Sequence, residues 1–451
     1  MPASVEGIVA ALGGRRFVRA AATLQAGSLG LTLIGFGASI LLARLLGPGG
    51  YGTYSLVMSA GTTIGLLRRL GQDFAATTGV AEGYGANDRR RVRDALVFYV
   101  VLSVATSIVV LPPAILLAPW IGMFFFGDET IGRLLQLYLI QGFWAVVPGW
   151  TVIALQASRR MGLLVGFENA TTLVNALLPV ALVLAGLGVY GVFWGQVAAS
   201  LVALVAGYVL YARVQPRDPL LPPTSELLRG IIRPAIPLWE RTRFGLSIAL
   251  DKNLVSLYTL VPILLLGLFV PDEEVGHLRA ALSYMAIPAV LLSPISRLLM
   301  VDLPALRLSA PERVRRSFVS VTLLGALASA GLAVPFALLA WLGLPLLYGD
   351  AFRAAAPLTV PLLLDAATLG LGIAAGPVFR TYDRTDLPIR TSVVLLLVGV
   401  PAAYLAIEQL GALGAALAYG GMLFASRLVS YVQCLRIIPR GAAPATEGAL
   451  S

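Results

Sequence analysis

Few side chains in this sequence place charge inside an apolar stretch, and those few define what chemistry it can perform. Asp365 stands in TVPLLLDAATLG and is the sole charged residue between Arg353 and Arg380. A charge at mid-bilayer depth costs at least about 2.5–3.5 kcal/mol, so Asp365 must be protonated, wetted by a cavity or paired across helices. Three roles stay open to it: a proton or cation site, a substrate contact, or a neutral acid bonded to a neighbouring helix. Asp251 and Lys252 sit near the start of another apolar run. Adjacent helical residues do not share a face, so these two are not a mutual pair. Asp251 faces a cavity or solvent, and Lys252 faces a cavity or snorkels to the interface. Arg44, Arg68, Arg69 and Arg297 lie near the ends of apolar runs. Guanidinium binds phosphate bidentately, which makes these arginines candidate anion contacts. The alternative for Arg68 and Arg69 is that they only set topology. Arg427 falls toward the end of the last apolar run and carries the same two readings. Glu168 and Asn169 open a run, where a carboxylate suits the helix dipole.

No catalytic constellation accompanies these residues. There is no Gly-x-x-x-x-Gly-Lys phosphate loop and no nucleophile–base pair. Cys434 and His277 are each the single residue of their type, which excludes an internal disulfide and a histidine metal site. No cofactor is expected, and the protein reads as a transporter, not an enzyme. Its energy source is an ion gradient, the substrate gradient or partner proteins.

The elements that hold these residues are apolar helices. The 451 residues are 58% hydrophobic and 12% charged, against about 25% charged in soluble proteins. Apolar runs of spanning length recur, and in lipid only a helix satisfies its own backbone within one segment. Twelve helices are predicted, near 22–46, 51–72, 93–119, 131–157, 166–187, 190–212, 246–270, 275–299, 316–347, 355–379, 389–408 and 412–435. Alternate links are arginine-rich: Arg89, Arg90, Arg91 and Arg93 in the second, Arg159 and Arg160 in the fourth, Arg313, Arg315 and Arg316 in the eighth. The links between them are neutral or acidic, as with Asp128 and Glu129, or Asp272, Glu273 and Glu274. The positive-inside rule then places both termini in the cytoplasm. The net charge of +10 is this topological signal, not a nucleic-acid footprint. Arg15, Arg16 and Arg19 precede an apolar run that continues to Leu46, too long for a cleaved signal, so an uncleaved anchor in the cell inner membrane is expected.

The chain also repeats itself. Ile40–Met58 returns in degraded form at Ile263–Leu282, a shift of 263 − 40 = 223. Gly188 and Gly191 face Gly411 and Gly414 at the same shift, and Gly127-Asp128 faces Gly349-Asp350 at 222. With six helices per copy the second half enters from the same side as the first, so the repeats are parallel. The expected architecture is an all-α polytopic membrane protein of twelve transmembrane helices in two parallel six-helix repeats. Its parts are a cytoplasmic segment 1–21, a bundle 22–212, a linker 213–245 with an amphipathic interfacial stretch, a second bundle 246–436 and a tail 437–451.

The stretch LLARLLGPGGYGTYSL resembles the opening signature of the polysaccharide, or O-antigen, flippases. Their superfamily also holds the multidrug and toxin extrusion (MATE) transporters and the lipid II flippases. The resemblance extends over residues 15–440 through the twelve-helix plan and implies a MATE-like two-bundle fold. It implies movement of a lipid-linked oligosaccharide, carried on a polyprenyl phosphate, across the cytoplasmic membrane by alternating access, for cell-surface polysaccharide synthesis. The implied partners are that lipid-linked saccharide, the bilayer, and glycosyltransferases or a polymerase of the pathway. Under it Arg44, Arg68, Asp251, Lys252, Arg297 and Asp365 become candidate substrate contacts in a cavity cationic on its inner side. A multidrug cation antiporter of the same superfamily is the first alternative. A polysaccharide ligase or polymerase is the second, and the short outward links argue against it.

Overall fold

The computed structural model describes residues 15–232, 238–289, 311–382, 384 and 386–439, and among these there are helices and turns but no strand. Two compact units divide the chain, Met1–Asn253 and Leu254–Ser451. Seven stretches among the described residues are long and apolar enough to cross a bilayer, and this is a multi-pass membrane protein. The seven include Arg89–Phe126, Met161–Arg217, Asp350–Thr381 and Ala412–Ile437. The twelve predicted helices do not map onto them one to one. Predicted helices 5 and 6 run together within Met161–Arg217, predicted helix 4 is broken, and the second half of predicted helix 8 lies outside the described residues.

The first unit opens with α1 (Arg15–Arg68), bent at Gly47, whose φ of 68° leaves the helical region just before Pro48. This bend separates the two predicted opening helices. α1 ends four residues earlier than the pattern predicts, because Gly71 turns left-handed and starts α2 (Gln72–Gly85). α3 (Arg89–Phe126) is capped by Asp88, whose carboxylate accepts from the amides of Arg90 and Arg91. Then come α4 (Glu129–Ile140), α5 (Val146–Ala157), α6 (Met161–Leu182) and α7 (Gly188–Val214). The core of this unit packs Val92, Leu96, Phe98 and Val100 of α3 against Trp150 and Ile153 of α5 and Tyr211 of α7.

Beyond α7 the chain is fastened to the same unit. Asp218 is buried, accepting from the Tyr84 hydroxyl at 2.8 Å and pairing with Arg160 at 3.2 Å. Burial, together with the Asp218 carboxylate, pushes the Tyr84 phenol above its ordinary range. Tyr211 donates to the Pro222 carbonyl, and α8 (Thr224–Ile232) packs on α3. α9 (Leu238–Phe269) starts eight residues before the predicted helix, so the helical part of the predicted linker is α8 and the first turns of α9.

In the second unit, α9 is followed by α10 (Asp272–Met285), α11 (Pro311–Leu338), α12 (Ala340–Tyr348) and a 3-10 turn at Asp350–Leu358. The predicted tenth helix is a series of short pieces: α13 (Thr359–Ala366), α14 (Leu369–Gly372) and α15 (Ala375–Thr381). α16 (Asp386–Leu410) and α17 (Ala412–Ile437) form the closing hairpin. Arg315 donates to the carbonyls of Leu435 and Ile438, closing the open end of α17.

Four of the glycines that carry the sequence repeat have positive φ, and one pair shares a backbone conformation. Gly188 and Gly411 both have φ of 53°, each at the corner of a helical hairpin, while Gly127 and Gly349 share only a positive φ, 66° and 102°. Three residues past each hairpin corner, Gly191 and Gly414 lie against the backbone of the preceding helix, where a Cβ would collide. A repeat that survives at positions where only glycine fits is one held by geometry.

Candidate functional site

In each unit the fourth helix of the repeat is broken, and an arginine meets the break. Between α4 and α5, residues 141–145 form turns, and the amides of Gly142 and Phe143 bond three residues back. Pro148 supplies a cause, since its ring excludes the carbonyl of Trp144 from helical bonding. Arg68 Nη1 reaches into this break, donating to the Gly142 carbonyl at 2.8 Å and to Ser107 Oγ at 3.3 Å. In the second unit Pro377 follows a break at Ile373 and Ala374 in the same way. At an earlier turn, residues 367–368, Arg427 of α17 donates to the Asp365 carbonyl and to Thr368 Oγ1, and its Nη2 pairs with the Asp365 carboxylate. Gly142 and Asp365 are equivalent positions, because 365 − 142 = 223. Equivalent carbonyls beside helix breaks thus each receive a guanidinium, from α1 in one unit and from α17 in the other, the Asp365 carbonyl in addition to the amide and hydroxyl of Thr368.

Ser329 completes the second break. It donates to the Ala367 carbonyl at 2.7 Å and accepts from the Gly370 amide at 3.3 Å. Gly370 makes this reach short, since its backbone lies against that of Gly325 and a Cβ there would overlap it.

The break in the first unit borders a cavity of about 420 Å³. Arg68 and Arg69 stand on its wall with the amides Gln141, Asn175 and Gln196 and the hydroxyl of Thr172. Trp144 and Tyr138 supply aromatic surface, and no aspartate or glutamate lines it. The Trp144 indole is fixed by Ser200 Oγ at 2.7 Å. The wall is therefore positive and rich in hydrogen-bonding groups. A second cavity, of about 440 Å³, in the second unit is bordered by Arg427, Ser426, Ser430 and Gly372.

Of the six residues singled out in the sequence, Arg68 alone lines the first unit's cavity. Arg44 is exposed on α1 three residues before the kink and does not line it. Lys252 is exposed and sits 4.0 Å over the Phe74 ring, a cation–π contact at the start of α2. Asp251 lies on α9, and its side chain falls outside the described residues. Arg297 also lies outside them. Asp365 is paired across helices, the third of the three possibilities weighed above. The sequence pattern places its partner toward a helix end, but α17 runs to Ile437 and Arg427 lies ten residues inside it. The neighbouring Asn253 donates to the carbonyls of Leu66 and Arg69, closing the end of α1 that carries Arg68.

The sequence matches the model of a family described as "Polysaccharide biosynthesis protein" over residues 17–300. The chain belongs to the polysaccharide biosynthesis protein family. No curated protein matches the sequence. Among solved structures, an inward-facing multidrug resistance MATE family transporter of the MOP superfamily is similar, with a TM-score of 0.72, 14% identity, and 90% of this chain and 94% of that one covered. The lipid II flippase MurJ in an inward closed conformation gives 0.63 at 10% identity, covering 90% and 86%. A MATE protein in the bent conformation gives 0.58 at 15% identity, covering 93% and 95%. At these identities the likeness is one of fold, and the all-helical MATE-like fold implied by the LLARLLGPGGYGTYSL signature is the one found.

Proposed function

We propose that this polysaccharide biosynthesis family member is a flippase that carries a lipid-linked saccharide, its sugars on a polyprenyl phosphate, across the cytoplasmic membrane. The single observation that carries the reading beyond its family is the charge of the first unit's cavity. Two arginines line it and no carboxylate does. An anionic or heavily hydroxylated cargo suits such a wall, whereas a drug cation would meet like charge. In the second unit the carboxylate at the broken helix is already matched by Arg427. These features favour the flippase over a multidrug cation antiporter.

The test is genetic and chemical. Deleting the gene is expected to leave lipid-linked oligosaccharide accumulated on the inner leaflet, measured by lipid extraction and protection from an outside glycosidase. Unchanged distribution of that lipid, with lost resistance to cationic dyes, would establish the antiporter instead.

The reading includes twelve spans in two six-helix repeats with both termini cytoplasmic, supported by the alternation of arginine-rich and acidic links. On a Cys434→Ser background, single cysteines at positions 128 and 273 are expected to react with an impermeant maleimide added outside. Cysteines at 90 and 315 are expected to stay protected until the membrane is opened. The opposite pattern inverts the topology and removes the proposal.

A further inference from the structure

Arg159 stands where the backbone favours glycine. Among the described residues nine have positive φ: seven are glycine, one is Asn87, and the ninth is Arg159 at 57°. It closes α5. The Arg159 amide bonds the Gln156 carbonyl at 3.2 Å and the Arg160 amide bonds that of Leu155 at 2.9 Å, the nested pair that ends a helix through a left-handed residue. Glycine holds such a position most often, because the Cβ of any other L-residue crowds the following carbonyl. The Arg159 side chain returns nothing to the fold for this strain. It is exposed, and its guanidinium has no acceptor among the described residues. Strain kept for a side chain that the fold does not use points to work done outside the fold.

Further cations meet this corner. Arg160 pairs with Asp218 at 3.2 Å, and the same carboxylate accepts from the Tyr84 hydroxyl, so Asp218 is already engaged. Arg217 directly precedes Asp218, and Arg213 lies one turn earlier at the end of α7. Both are exposed and have no acceptor among the described residues. The Arg160–Asp218 pair thus ties Arg159, Arg213 and Arg217 to one end of the first unit. Asp88, Asp94 and Glu226 are matched by Arg91, Arg93 and Arg89. The exposed Glu82 is turned about 200° around α2 from Tyr84, away from Asp218.

The surface beside these cations names the ligand. Val202, Val205 and Val209 share the Arg213 face of α7 and are 46%, 61% and 38% exposed. An open apolar wall therefore runs straight into a cationic end. A free anion would use the arginines and leave the wall bare, and a hydrocarbon chain would do the reverse. A phosphate diester that carries acyl chains uses both. The cavity does not supply this amphiphile. Gln196, Ser200 and Ala203 line it from a face of α7 turned roughly 150° from the valines.

We propose that the end of α7 and the corner between α5 and α6 form a site for an anionic phospholipid of the surrounding leaflet. Arg159, Arg213 and Arg217 bind its phosphate, and the valine face of α7 holds an acyl chain. The lipid is a resident of the bilayer, whatever the transported cargo.

The test titrates the full-length protein in neutral detergent with phosphatidylglycerol and follows the unfolding midpoint. Phosphatidylcholine with the same chains, glycerol 1-phosphate and polyprenyl phosphate are the comparisons. Phosphatidylglycerol is expected to raise the midpoint to a plateau, because it binds the folded state, while phosphatidylcholine and glycerol 1-phosphate leave it in place. Arg159→Gly separates the site from the fold. Without lipid its midpoint is expected to lie above that of the wild type, since the left-handed strain is relieved. Its half-saturating phosphatidylglycerol concentration is expected to rise about ten-fold, the loss of one charge-assisted bond. Arg217→Gln is expected to raise that concentration similarly. Arg229→Gln, at an exposed and equally unmatched arginine of α8, is expected to leave it unchanged. Four results would overturn the assignment: the two phospholipids act alike, glycerol 1-phosphate alone reproduces the shift, Arg229→Gln weakens binding as much as Arg159→Gly, or polyprenyl phosphate displaces phosphatidylglycerol at equal concentration. An Arg159→Gly midpoint below the wild type without lipid would overturn it too, since the arginine would then serve the fold.

Discussion

Arg427→Leu is expected to destabilise the second unit by about 3–5 kcal/mol, the cost of leaving one member of a buried ion pair alone. The side chains of Arg427 and Asp365 are 16% and 21% exposed, so solvent does little to screen the loss. The guanidinium also donates to the Asp365 carbonyl, which keeps its bonds from the Thr368 amide and hydroxyl when the arginine is removed, so the lost charge pairing is the larger part of the effect. Asp365→Asn is expected to cost less than Arg427→Leu, because the carbonyl bond survives, but more than a surface substitution, because Arg427 is left without its counter-charge. The double variant Asp365→Leu with Arg427→Met is expected to recover part of the loss, as replacing both members of a buried pair by apolar groups does. Thermal unfolding in detergent and the level of protein in the membrane measure all three. Equal unfolding midpoints for the wild type and Arg427→Leu would mean that the pair does not hold the break. The same pair bears on energy coupling. A guanidinium beside Asp365 occupies the place that a coupling cation would need, so transport that depends on a cation gradient would have to bind it elsewhere.

The parts of this molecule legible in the sequence are those written in local pattern. Hydropathy marks the long helices, and the glycine diagonal marks the repeat. Gly188 and Gly411 prove to share a backbone conformation because a hairpin corner at φ of 53° admits little else. The breaks in the fourth and tenth predicted helices were less visible. Gly142 and Pro148, or Pro361 and Pro377, occur in spanning helices without breaking them when neighbours satisfy the backbone, so their presence alone does not decide. What decides is a donor from far away. Arg68 lies 74 residues from Gly142, and Arg427 lies 62 from Asp365. Neither pairing has a period or a motif. Gln196 carried a weak signal, a lone amide in the apolar run VFWGQVAAS, but the same pattern describes an amide bonded to a neighbouring helix. Only its environment shows that the acceptor is unpartnered. Lys252 is the opposite case: its sequence context allows a snorkelling lysine, but nothing in it marks the Phe74 ring beneath the ammonium.

Gly71→Ala is expected to be among the most damaging single-methyl additions in the first unit. Gly71 has φ of 80°, a conformation that costs an L-residue roughly 1–2 kcal/mol. The added Cβ would also fall on the backbone of Gly245, so α9 and the turn after α1 could not keep their approach. Gly245→Ala is strained from the other side, its Cβ falling 2.6 Å from the Gly71 carbonyl oxygen. Gly65→Ala, on the last part of α1, is the control. Its Cβ meets nothing, and alanine favours a helix over glycine by about 0.5–1 kcal/mol. A loss of several kcal/mol at Gly71 and Gly245 with no loss at Gly65 is therefore the expected pattern. The consequence reaches the cavity, because this turn fixes the residues around Arg68. Gln72 accepts from the Leu70 amide and donates to the Arg68 carbonyl, while Asn253 bonds the Leu66 and Arg69 carbonyls from α9. If α9 is pushed away, Asn253 leaves with it, and the guanidinium that meets Gly142 loses its anchorage. Gly71→Ala should therefore lower the unfolding midpoint. A Gly71→Ala protein with an unchanged midpoint would show that the turn and α9 separate freely, and the anchoring of Arg68 through Asn253 would have to be abandoned.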